Sequence, residues 1–150
     1  MAENEKPRQL LPTAAAVGVQ RALRAWLNTC AELPAGMAVS FENLAENDAG
    51  LCFATIQAPA YAARYILGGY RAEYHFRIIY RVLPSDDGDI LDAVETLTAI
   101  GAWCESAAPP DLDGAVNEHI TRTNDAAILA AYEDGSNDYG IELTLTWEVF

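Results

Sequence analysis

Two histidines, three cysteines and several close pairs of aspartates are the residues in this chain that could do chemistry. An imidazole beside a carboxylate could move protons, thiolates could hold zinc, and clustered carboxylates could hold calcium. Each of these needs its partners at a set spacing. His75 falls among Arg71, Glu73 and Arg77 in a strand-like run and reads as a surface or interface side chain. His119 adjoins Glu118, but neighbours on a strand face opposite sides. Cys30, Cys52 and Cys104 are widely spaced, with no C-x-x-C and no histidine close in sequence, which points to free, partly buried thiols rather than zinc. Asp86-Asp87, Asp111/Asp113 and Asp134/Asp138 all sit in turn-like stretches, where Asp bonds to nearby backbone. Asp134–Asp138 gathers hard oxygens but lacks the spacing and distal Glu of a known calcium loop. No phosphate loop, G-x-S-x-G, H-E-x-x-H or dinucleotide fingerprint is present. The expectation is a protein with no catalytic residues, no cofactor and no metal.

The residues suited to contact are more concentrated. Tyr61, Tyr65, Tyr70, Tyr74 and Tyr80 gather in and just before one long alternating stretch. Tyr61, Arg64, Tyr65 and Ile66 share a connecting segment whose composition matches a protein–protein contact. The same segment could instead fold back over its own sheet. Arg71, Arg77 and Arg81 place a basic stripe on a chain with only 9 basic residues. Carboxylates such as Glu142 and Glu148 could answer that stripe, from another copy or from a neighbouring strand. Tyr61, Arg64, Tyr65, Ile66, Arg71, Arg77 and Arg81 are therefore the candidate subunit interface.

Regular elements must position these side chains. From Tyr70 to Val82, tyrosine, phenylalanine and aliphatic residues alternate with Arg, Glu and His, and only Ile79 breaks the pattern. This is a strand with one core face and one polar face, which favours an antiparallel sheet. Ile141 to Val149 alternates in the same way. Met37–Glu42 and Leu51–Gln57 read as two further strands forming a hairpin across the turn Ala45–Gly50. The connection Ala58–Gly69 holds one helical turn at most and ends in the breaker pair Gly68-Gly69.

Val19, Leu23, Trp26 and Cys30 share one face of a helix spanning Ala14–Cys30, introduced by Pro12 and Thr13. A second helix runs from the acidic stretch after Pro84 to about Ser106, with Ile90, Val94, Leu97 and Cys104 on one face and Leu91, Ile100 and Trp103 beside it. Asn117–Asn124 and Ala127–Glu133 are strands, and Asp134–Tyr139 is a turn. The order is α-β-β-β-α-β-β-β, an α+β fold with two main helices on one face of an antiparallel or mixed sheet. The 150 residues fit a single domain, with residues 1–9 expected to be disordered.

Charge narrows the function classes. With 22 acidic and 9 basic residues the formal charge is −13, and the pI is near 4.3. Such a surface repels phosphate backbones, which argues against sequence-specific nucleic-acid binding. No stretch reaches the roughly 18 apolar residues of a membrane span, and MAENEKPRQL lacks the apolar core of a signal peptide.

Three segments carry a resemblance: AWLNTCAEL at Ala25–Leu33, YILGGYRAEYHFRIIYRV at Tyr65–Val82, and AYEDGSNDYGIELTLTWEV at Ala131–Val149. They resemble the minor capsid, or minor structural, proteins of tailed bacteriophages and prophages, a class similar to tail-terminator and tail-to-head joining proteins. The resemblance implies a virion structural subunit that assembles with itself into a ring, nominally a hexamer. Its partners would be tail-tube and head-completion proteins, and its location the virion, after assembly in the host bacterial cytoplasm. It implies no catalytic residue and no cofactor. Two other readings remain open on the residues alone: a protein-binding α+β module unrelated to virions, and a small-ligand or enzyme domain.

Overall fold

The computed structural model describes residues 18–44 and 49–150. The expected disorder of residues 1–9, the start of the first helix at Pro12–Val17 and most of the Ala45–Gly50 turn lie outside the described residues. Along the chain the elements are α1 (Val19–Leu27), β1 (Val39–Phe41), β2 (Gly50–Thr55), β3 (Tyr61–Arg64), β4 (Tyr70–Val82), α2 (Asp87–Ser106), β5 (Val116–Arg122), β6 (Ala127–Ala131) and β7 (Asn137–Val149). The fold is α+β, as the alternating stretches imply.

The two longest alternating stretches become its centre. β4 and β7 pair antiparallel along their whole length, from Tyr70 opposite Val149 to Val82 opposite Asn137. Shorter strands flank this pair. β2 and β3 share the free edge of β4, and β5 and β6 share the free edge of β7. The sheet therefore has two ends. One, the hairpin end, holds β3, the start of β4, the end of β7 and the start of β5. The other, the turn end, holds the end of β4, the start of β7 and β6.

Alternation fixes which side chains form the core. Ala72, Tyr74, Phe76 and Ile78 of β4 and Ile141, Leu143, Leu145 and Trp147 of β7 are buried on one face. Helix α1 adds Val19, Leu23 and Leu27, and α2 adds Ala93, Leu97, Ile100 and Cys104, in one connected cluster. Both helices thus cover the same face, and the Trp26 and Trp103 rings meet with centroids 4.6 Å apart. Asp86 caps α2 by accepting from the Asp89 N–H at 3.0 Å. The buried line of α2 runs through Ala93 and Gly101, whereas Leu91, expected beside it, is 59% exposed. Gly101 allows the close approach of α2 to β7, because a Cβ there would lie 2.7 Å from Ile141 Cδ1.

Three local expectations are corrected. β1 and β2 pair in parallel rather than as a hairpin, with Val39 opposite Leu51. Alternation marks strands but not their direction, and β1 is only three residues long. A chain needs to retrace only about 10 Å to run beside it again in the same sense. Glu42, at φ 52, turns the chain out of β1, and its N–H donates to Phe53 O. The connection Ala58–Gly69 carries strand β3 rather than a helical turn, because pairing with the start of β4 satisfies its backbone. β7 begins at Asn137, inside the stretch read as a turn. The turn proper is shorter, with Asp134 Oδ1 accepting from the Ser136 N–H at 2.9 Å and its hydroxyl at 2.6 Å.

Candidate subunit interface

The connection before the long strand is a β-hairpin. β3 pairs with β4, and the turn closes with the Tyr65 N–H donating to Gly69 O at 3.1 Å. Gly68 and Gly69 both adopt positive φ, 91° and 84°, which explains the glycine pair. A Cβ on Gly69 would lie 2.5 Å from Val149 O, so the hairpin base presses against the end of β7. The tip carries Ile66 and Leu67, which are 101% and 98% exposed. These are the two most exposed large apolar side chains among the described residues.

Aromatic contacts brace the tip. The Tyr65 ring stacks on Phe150 at 5.6 Å, and the Tyr65 hydroxyl donates to Glu148 Oε2. Asn117 Nδ2 donates to the other oxygen of that carboxylate at 2.6 Å. These two donors hold the Glu148 carboxyl below the usual range, and the same bond to Glu148 raises the Tyr65 phenol. The Tyr61 ring meets Tyr70 edge-on at 5.1 Å, and the Arg64 guanidinium lies 3.9 Å from the Tyr61 centroid. Val116 and Phe150, both exposed, complete an apolar end to the sheet.

The seven candidate interface residues divide along β4. Tyr61, Arg64, Tyr65, Ile66 and Arg71 gather at the hairpin end, with Arg71 exposed and opposite Glu148 in register. Arg77 and Arg81 lie toward the turn end, and Arg81 is about 33 Å along the strand from Arg71 at about 3.3 Å per residue. Both engage carboxylates of β7 in the same chain. Arg77 donates to Glu142 at 2.5 and 3.2 Å. Arg81 donates to both oxygens of Asp138 at 2.7 and 2.9 Å, and Tyr132 OH donates to the same carboxylate. Asp138 is 6% exposed, so this fork is the more sheltered of the two pairs.

The turn end carries further exposed apolar side chains, spread over both faces of the sheet margin. Leu83, Ile128, Leu129 and Tyr132 are 62%, 56%, 42% and 43% exposed. Leu83 approaches the β6–β7 turn, with its Cδ1 3.4 Å from where a Gly135 Cβ would sit. Asp86, Asp87, Glu133 and Asp134 are exposed in the loops that follow β4 and β6. Sequence reading missed these side chains because they come from two segments that only the topology brings to the same end. The signal available was the uncharged run Ala127–Ala131 before an acidic turn.

The chemistry-bearing residues end up elsewhere. On the uncovered face of the sheet, His75, His119, Glu73 and Arg71 surround Thr121, Thr123, Thr144 and Thr146 in a shallow bowl of about 390 Å³. His75 bonds Glu73 at 3.1 Å through Nε2 and Thr144 at 3.1 Å through Nδ1. The bowl could offer hydrogen bonds to a polar ligand, and its imidazoles are held by neighbours of the same face. The three cysteines are free and buried. Burial pushes the Cys52 thiol up to about 11 and raises those of Cys30 and Cys104 as well, which leaves them protonated and unreactive near neutrality. Among the described residues, no group of three or more His, Cys, Asp or Glu side chains could hold a metal ion, and no helix is long and apolar enough to cross a membrane. No model of a known protein family matches the chain, and no curated protein matches it either.

Proposed function

We propose that this protein is a structural subunit of a tailed phage or prophage virion, assembling with its own copies into a ring at the tail end or head–tail junction. The observation that carries the reading is the hairpin tip, where Ile66 and Leu67 stand fully in solvent on a braced support. Burying both would return roughly 1.5–3 kcal/mol each. A hairpin held in place by Tyr65, Glu148 and Phe150 offers that area with little ordering left to do. The resemblance of Tyr65–Val82 and Ala131–Val149 to minor capsid proteins supports the same reading, and those segments form the central strands and the hairpin. Tail-tube and head-completion proteins are the proposed further partners, and the virion the proposed location. The charge of −13 suits a subunit that must not adhere to DNA while it assembles.

Electron microscopy of the purified protein mixed with phage tail tubes tests the proposal. Density at one end of the tubes is the expected result, lost when Ile66 and Leu67 are both changed to Ser. Tubes that stay bare at both ends, or are decorated along their length, would refute it.

A further inference from the structure

We draw no further inference here: the strongest candidate, the exposed hairpin tip of Ile66 and Leu67 between β3 and β4, carries nothing beyond the proposed assembly, because nothing in the structure shows which surface covers it.

Discussion

Glu148 joins three parts of the molecule through one carboxylate: β7 by its backbone, the hairpin through Tyr65, and β5 through Asn117. Its folded pKa is lowered, first by the Tyr65 hydroxyl and then by the Asn117 amide. Between the folded and unfolded values the unfolded chain binds more protons, so stability rises with pH in that window. The contribution is fully present above the ordinary glutamate value and is lost as pH falls through the lower folded one. The Tyr65 phenol, raised by the same bond, limits the contact at the alkaline side, where it is lost as pH rises through the folded Tyr65 value. Carbon-detected NMR titration should place Glu148 below the ordinary glutamate value, and Tyr65→Phe should move it back toward that value. An unchanged Glu148 titration in that variant would show that the tyrosine does not hold the carboxylate.

At the scale of elements, the hairpin depends on two adjacent glycines for different reasons. Gly68 needs only its positive φ, with open space where a Cβ would go. Gly69 needs its positive φ and also its lack of a Cβ, because Val149 O stands in the way. Gly68→Ala should therefore cost about 1 kcal/mol, and Gly69→Ala roughly 2–3 kcal/mol, by urea denaturation. Equal losses would mean that the hairpin base does not bear on β7. The pair Gly68-Gly69 was legible in the sequence as a break, and Tyr70–Val82 as a strand with the bounds it has. The strand before the break was not. Tyr61–Arg64 is short and alanine-rich, and it is a strand only because the start of β4 offers it a partner. The parallel pairing of β1 and β2 was hidden likewise, since the direction of a strand is set by where the chain can return and not by its alternation.

For the whole molecule, charge is the dominant property, with 22 acidic side chains against 9 basic ones. The Arg81–Asp138 fork is sheltered, and salt screens such pairs little, whereas repulsion among exposed carboxylates fades within about 3 Å at 1 M salt. The half-buried Arg77–Glu142 pair is worth at most about 1 kcal/mol. Raising sodium chloride from about 0.05 to about 0.5 M should therefore raise the Tm in differential scanning calorimetry. A fall would show that surface ion pairs outweigh the repulsion. Charge was readable in the composition, but its distribution was not. The two arginines at the hairpin base lie at one end of β4, and the carboxylates that follow it lie beyond the other. Reading along the chain groups Arg71 with Arg77 and Arg81, and the sheet separates them into two surroundings.

The outer strands show how such a sheet meets its neighbours. β3, β5 and β6 each carry one extra residue that breaks register with the strand inside, at Ala62, in Asn117–Glu118 and at Leu129, and β1 stops after three residues. Irregular margins of this kind make poor templates for another strand. Sideways extension, the route by which exposed sheets turn into fibrils, is thereby discouraged along both flanks. What stays open is the axis of the two long strands.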